Sequence, residues 1–480
     1  MQTVRTITPC ALALGLAVVG CVPSFPEGAA RDADTSVPDA FEGTSGGESS
    51  ARIDWRELFP DAHLTALIEA ALQNNQELNI TIQETLIAKY EIMARRGELY
   101  PRVDFGAGAG VEHVGETTSQ GRSDEMAGLP ANLQDYGFGL RASWEIDVWR
   151  RLRNLRDAAT NRYLATIEGK NFMVTQLVAE IARLYYELVA LDRQAEVIER
   201  NIELQESSLE IVRLQQEAGR ETSLAVTRFE AQLRGFQSRR FEIAQRIVET
   251  ENEINFLVGR FPQPVERDSA GFLEMEPPAV SAGLPTALLE NRPDIRRAEL
   301  LLEAAQLDVR AARARFYPSL SIEGGAGYQA SNIRRLLDTP GSLLYGIFAN
   351  LMAPLFNRSE IKAEYFASNS RQMQAVLSYE RAILTAYVEV ANRLSLIENT
   401  SRSYELKQQQ VERLAESIEQ SMLLFNTARA DYLEVLTTRR DALEAQMELI
   451  ETKLNQMTAT ISLYQALGGG WTNPEAEARP

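Results

Sequence analysis

The stretch Glu98-Leu99-Tyr100-Pro101-Arg102-Val103-Asp104-Phe105 is echoed 217 positions later by Arg315-Phe316-Tyr317-Pro318-Ser319-Leu320-Ser321-Ile322. The residue before a proline is biased toward extended geometry, so each Tyr-Pro step predicts the end of a helix and the start of a strand. Behind each copy come two strand-like stretches and then a very long helical run without proline. A period this long is duplication of a whole unit rather than a solenoid repeat. Each unit is incomplete by itself, because four strands in total cannot close a barrel and long helices cannot bury themselves alone.

Working outward from the first Tyr-Pro step, Val103, Phe105, Ala107, Ala109 and Val111 alternate with Arg102, Asp104, Gly106, Gly108, Gly110 and Glu112. This is period two, one face apolar and the other small or charged. The second stretch sets Tyr136, Phe138, Leu140, Ala142, Trp144 and Ile146 against Gly137, Gly139, Arg141, Ser143, Glu145 and Asp147. In the second copy Leu320, Ile322, Ala326 and Tyr328 alternate, and Leu343 to Leu355 reads as the fourth strand. Strands of this length exceed the usual five or six residues and suit a membrane barrel, which needs roughly 9–11. Tyr136, Trp144, Trp149, Tyr328 and Tyr345 lie toward the ends, as an interfacial aromatic girdle would.

The helical runs complete each unit. No proline falls between Pro130 and Pro262 or between Pro354 and Pro474. In the first run Val174, Leu177, Ile181, Leu184, Leu188 and Leu191 step by threes and fours, continuing through Ile198, Ile202, Leu209 and Val212. That predicts a helix from Leu155 to Glu217, roughly 90 Å long at the standard rise. Gly219 to Ser223 reads as a turn, with a return helix from Leu224 to Val258. The second copy predicts Arg358 to Thr427, a turn at Ala428 to Tyr432, and a return to Leu467. Spacings of three and four are those of coiled-coil packing.

Composition narrows the class. The apolar fraction is 45% and the net charge −18, which fits a folded protein and opposes phosphate-backbone binding. Arg5, an apolar stretch from Ile7 to Val19, and Val18-Val19-Gly20-Cys21 fit a bacterial lipobox, in which Cys21 is lipidated and becomes the N-terminus. An ordinary signal peptide with a chance cysteine is the alternative. Val22 after the cysteine, rather than Asp, resembles lipoproteins sent to the outer membrane. Cys10 would be removed with the leader, leaving no disulfide.

The expected organisation is a lipoprotein signal peptide at 1–20, a lipidated N-terminus and flexible tether at 21–52, and a first repeat at 53–260. A connector at 261–285, a second repeat at 286–470 and a C-terminal tail at 471–480 follow. Enzyme readings find little support. Gly43-Thr44-Ser45-Gly46-Gly47 satisfies G-x-S-x-G without the strand and helix that a nucleophile elbow requires. The two histidines, His63 and His113, are 50 positions apart, which argues against a triad or a histidine-rich metal site. Gly106 to Gly110 lies within a strand and opens no helix, so it is no dinucleotide loop. No cofactor or metal is expected beyond the lipid on Cys21.

Asn291-Arg292-Pro293-Asp294-Ile295 with Ala298-Glu299, followed by Ala311-Arg313-Phe316-Pro318-Ser319-Leu320, resembles the helix-to-strand signature of the outer membrane efflux proteins, the TolC/OprM-like outer membrane factors, lipoprotein branch. Trp144 to Trp149, Pro354-Leu355-Phe356 and Tyr464 to Trp471 are similar too. The resemblance implies a mixed fold, an all-α coiled-coil barrel plus a membrane β-barrel. An internally duplicated chain would contribute four β-strands and long antiparallel helices to a trimeric tube. It implies a passive duct anchored in outer membrane lipid and reaching into the periplasm. Its partners would be a periplasmic adaptor (membrane fusion) protein and an inner-membrane pump, with no nucleic acid.

Glu434 matches the family's acidic gate position, beside Asp431, while Thr437 stands where some members have a second acid. An exposed helix residue without a gate role is the alternative for Glu434. The turns carrying Gly219 and Arg220, and Ala428 and Arg429, match those that would meet the adaptor. Asp147 and Trp149 are expected to cap and pack. The contrasting function is a periplasmic coiled-coil scaffold or adaptor lipoprotein without a pore.

Overall fold

The computed structural model describes residues 22–25, 31–42, 47–130, 132–427 and 431–471. In chain order, after a 3-10 turn at Ser50–Arg52, come α1 Trp55–Leu58, α2 Ala62–Asn74, α3 Gln76–Gly97, β1 Arg102–His113, α4 Ser119–Met126 and β2 Asn132–Ile146. Then follow α5 Arg151–Glu217, α6 Ser223–Val258, α7 Ala287–Asn291, α8 Pro293–Ala314, β3 Ser319–Ala330, β4 Leu343–Met352, α9 Ser359–Asn426 and α10 Tyr432–Ala466. The fourth strand stops at Met352 rather than Leu355, because Pro354 has no amide to donate to a ladder.

The chain divides into two compact units, and each draws on both repeats. One holds Thr85–Ala165 and Ala298–Ser378 with the described residues up to Ala33. The other holds Asp34–Glu84, Thr166–Arg297 and the chain from Tyr379 onward.

The first unit contains a single antiparallel sheet in the order β1-β2-β3-β4. Register carries the alternation across all four strands. Phe105 lies opposite Leu140, Leu140 opposite Ala326, and Ala326 opposite Tyr345. The neighbouring row on the same face runs Ala107, Phe138, Tyr328, Leu343, with Phe138 and Tyr328 stacked at 5.6 Å. The opposite face brings Gly106, Gly139 and Gly327 into one row. A Cβ on Gly139 would come within 2.7 Å of the Ala326 carbonyl oxygen, so a side chain there would push the two central strands apart.

In the second unit the stripe of α5 from Leu177 to Val212 is buried as its spacing predicts, against α6 and α10. Asp61 caps α2 through the amides of His63 and Leu64, and its other oxygen accepts from the buried Tyr185 hydroxyl at 2.7 Å.

The duplication is visible here as geometry. Gly259, with φ +78, ends α6 so close to α2 that a Cβ would be 2.5 Å from the Asn74 carbonyl oxygen. A Cβ on Gly468, with φ +87, would likewise be 2.5 Å from the Asn291 carbonyl oxygen. The copies then diverge. Asn75 stitches its junction with hydrogen bonds to Leu257 O and Leu78 N. Arg292 instead buries its guanidinium between Asp294, Glu389 and the Ala466 carbonyl, each at 2.7 Å.

The segment 21–52, expected as a flexible tether, is corrected where it is described. Phe25 stacks on Tyr365 at 4.4 Å. Phe41 is buried and stacks on Tyr387 at 5.2 Å, the Asp34 amide donates to Glu380, and Ser50 exchanges hydrogen bonds with Ser281. Two aromatic side chains in an otherwise polar stretch give it something to bury, so it lies against helices. The signal peptide, Cys21, residues 43–46 and the tail beyond Trp471 lie outside the described residues.

Candidate functional site: hairpin turns and the four-stranded sheet

The first pair of long helices ends in a turn set by local chemistry. After Glu217 the chain closes with Arg220 N–H donating to Gln215 O at 2.8 Å and Gly219 N–H donating to Gln216 O at 2.9 Å. Gly219 adopts φ +69, the left-handed geometry that ends a helix most cheaply with glycine. Thr222 then caps α6 by accepting from Ala225 N. Gly219 and Arg220 are both exposed. In the second hairpin Ala428 and Arg429 lie outside the described residues.

Asp431 occupies the N-cap position of α10 in extended geometry, but its side chain makes no capping bond. Glu434 is exposed in the first turn of α10. Thr437 donates back to the Leu433 and Glu434 carbonyls at 3.0 and 3.1 Å, so its hydroxyl is engaged by its own helix. Asp431 and Glu434 therefore leave two carboxylates unsequestered near this tip, while the Thr437 hydroxyl is held by its own helix backbone.

Arg439 was not singled out from sequence. Its guanidinium donates to Leu204 O at 3.3 Å, to Ser208 Oγ and to Met422 Sδ at 3.6 Å, tying α10 to α5 and α9. No carboxylate is within ion-pair reach among the described residues, and burial pushes its pKa below the ordinary arginine value. The signal was present, because Arg439 falls at helical spacing from the buried Val435, Leu436, Ala442 and Leu443.

The strand-to-helix junction behaves as expected of a cap. Asp147 accepts from the amides of Leu152 and Arg153 and from the Arg153 guanidinium. Burial would raise its carboxyl, but these hydrogen bonds outweigh that and hold it below the ordinary carboxylate value. Trp149 donates to Pro318 O at 2.8 Å and stacks on Tyr317.

The sheet is the other candidate surface. Its apolar face is exposed: Phe105 is 68% accessible, Tyr345 77% and Ile347 79%. β1 and β4 pair with no further strand among the described residues, leaving two open edges. A large apolar face marks a surface meant for lipid or protein, and open edges are templates for another chain. No helix among the described residues is long and apolar enough to cross a membrane.

A long-stranded sheet with an exposed apolar face, in a chain that also carries paired long helices, fits a membrane channel protein of mixed β and α construction. The outer membrane efflux protein family matches residues 67–260 and 284–469, and the chain belongs to that family. It is 28% identical to the cation efflux system protein CusC of Escherichia coli O6:H1, over 97% of this chain and all of that one. It is equally 28% identical to the pyoverdine export outer membrane protein OpmQ of Pseudomonas aeruginosa, over 98% of this chain and 97% of that one. A crystal structure of CusC superposes with a TM-score of 0.80 at 25% identity, covering 94% of this chain and all of the other. The open-state crystal structure of the Neisseria gonorrhoeae MtrE outer membrane channel gives 0.81 at 23% identity, covering 94% and 98%. The protein is an efflux duct subunit of the outer membrane.

Proposed function

We propose that three copies join edge to edge, β1 of one to β4 of the next, closing a twelve-stranded barrel and a tube of paired helices. The duct is passive, driven by an inner-membrane pump through a periplasmic adaptor and held to the outer membrane by lipid on Cys21. The observation that carries this reading is the apolar face that stays in register across four strands and ends at two unpaired edges. Closure satisfies those edges, and the bilayer covers the face. The Gly219–Arg220 and Ala428–Arg429 turns meet the adaptor. Glu434, aided by Asp431, forms the acidic constriction, and Thr437 leaves that ring single; three carboxylates around an axis favour cations.

The cargo is a small molecule whose class is set outside the duct. CusC is named for cations and OpmQ for pyoverdine, at the same identity to this chain. Full-length protein added to planar lipid bilayers is expected to give discrete conductance steps and to migrate on gels as a heat-sensitive trimer. A monomer that never conducts would establish the poreless scaffold instead.

A further inference from the structure

Just past the helix-side ends of the central strands lies a cleft of about 600 Å³, walled by Trp149, Arg150, Asp157, Arg310, Arg313 and Tyr317 among others. Trp149 and Tyr317 stack at 4.7 Å. They sit three residues beyond Ile146 of β2 and two before Ser319 of β3. That places an aromatic pair at the boundary where the apolar face ends, the depth at which amphipathic rings favour a membrane interface.

The charges in this cleft are unusual for the chain. The neighbouring arginines are paired: Arg151 with Glu145, Arg153 with Asp147, Arg156 with Asp157, Arg162 with Asp308 and Arg315 with Glu360. Arg150, Arg310 and Arg313 have no ion-pair partner among the described residues. Asp157, the carboxylate in the wall, is already held by Arg156 at 2.6 Å. Arg310 and Arg313 are three apart on α8 and share a side of it. In a protein of net charge −18, three uncompensated guanidiniums around one cleft call for an anion.

We propose that the cleft binds the phosphate of a phospholipid headgroup, anchoring the channel at the membrane edge of its sheet. Guanidinium groups bind phosphate through paired N–H donors, and basic pockets at a membrane surface take anionic headgroups. Free inorganic phosphate offers the same charge. The lipid is favoured because the apolar face starting at Ile146 and Leu320 continues from the cleft and gives the acyl chains a place to lie. This inference rests on the sheet lying in the bilayer and is independent of the gate and of cargo.

The test is native mass spectrometry of full-length protein with dioleoyl-phosphatidylglycerol, with dioleoylglycerol, and with the phospholipid in competition with inorganic phosphate. The wild type is expected to retain the phospholipid and not the diacylglycerol, unaffected by phosphate. Arg310→Gln with Arg313→Gln should weaken retention about 25-fold, at about fivefold per guanidinium. Arg150 has φ +60, a geometry glycine adopts readily, so Arg150→Gly removes its charge while relaxing the backbone and should weaken retention about fivefold. Arg315→Gln, which removes an already paired charge, should change nothing. Equal retention by all variants, or retention of dioleoylglycerol, would overturn the site. Displacement of the lipid by inorganic phosphate would overturn the lipid assignment. Because these readouts do not use conductance, they stand apart from failure of the duct itself.

Discussion

Leu188 in α5 and Ile347 in β4 are both aliphatic and both sit in long regular elements, yet Leu188 is 0% exposed and Ile347 79%. Around Leu188 the chain supplies its own covering, from α2, α5, α6 and α10. Around Ile347 it supplies little, and the same holds for Phe105, Leu351 and Tyr345. The core around Leu188 closes within one chain, although other helical faces stay bare, as at Phe241, Phe256 and Leu384, whereas the apolar face of the sheet is built for a solvent other than water. Substitutions in the two regions should therefore respond differently to lipid.

The largest effect is expected at the glycine row of the sheet. A Cβ on Gly327 would overlap the Phe138 carbonyl oxygen, so Gly327→Val should separate β2 from β3 and abolish both trimer migration and conductance. Normal trimers of that variant would show the strands to be farther apart than described. Next is Leu188→Ala, which leaves a cavity in a dry core and should cost about 2–5 kcal/mol, in detergent and in lipid alike. Ile347→Arg sharpens the contrast. It should cost about 2–4 kcal/mol in a bilayer, as for a lipid-facing barrel residue, and little in detergent with a polar surface. An equal cost in both media would mean that Ile347 does not face lipid.

A smaller effect belongs to the junction between strand and helix. The Asp147 carboxyl is held below its ordinary value, so its contribution is fully present at neutral pH and fades as pH falls through that lowered value. Asp147→Asn should lower the melting temperature at pH 7, by a cap's worth of about 1 kcal/mol, and flatten the acid limb of the stability curve. An unchanged acid limb would remove Asp147 from the account. The smallest structural effect is at the tip, where Glu434→Ala should leave melting unaltered but raise single-channel conductance or weaken cation selectivity. Traces identical to wild type in both respects would assign Glu434 to an ordinary exposed helix face.

Much of this was legible in the sequence, for physical reasons that also explain what was not. β1 and β2 could be read because glycine and charge alternate with apolar residues, a period-two signal that no helix produces. The α5 stripe could be read because one face recurs over many turns, and averaging suppresses exceptions. The end of β4 could not, since Leu355 and Phe356 continue the apolar run past Pro354 without alternation. Phe25 and Phe41 were lost in a polar background, where one aromatic residue is a weak signal but enough to pin a segment.

Arg439 is the instructive miss. Hydrophobic spacing places it on the buried side of α10, and an arginine there must find acceptors from neighbouring helices, as Leu204 O and Ser208 show. The Asn74 and Asn291 junctions differ in sequence. In three dimensions each faces a left-handed glycine packed too closely for a Cβ, and only the polar stitching has diverged.

The central claim is that the unpaired edges of the sheet meet one another in a closed ring. Single cysteines placed at Ala109 in β1 and Ala349 in β4 of one chain, in membranes and with a short bismaleimide, test it directly. Closure of three copies predicts a cross-linked ladder that stops at the trimer, with each single-cysteine chain giving none. A ladder that runs on without limit, or no β1-to-β4 product at any neighbouring pair along the two strands, would contradict it.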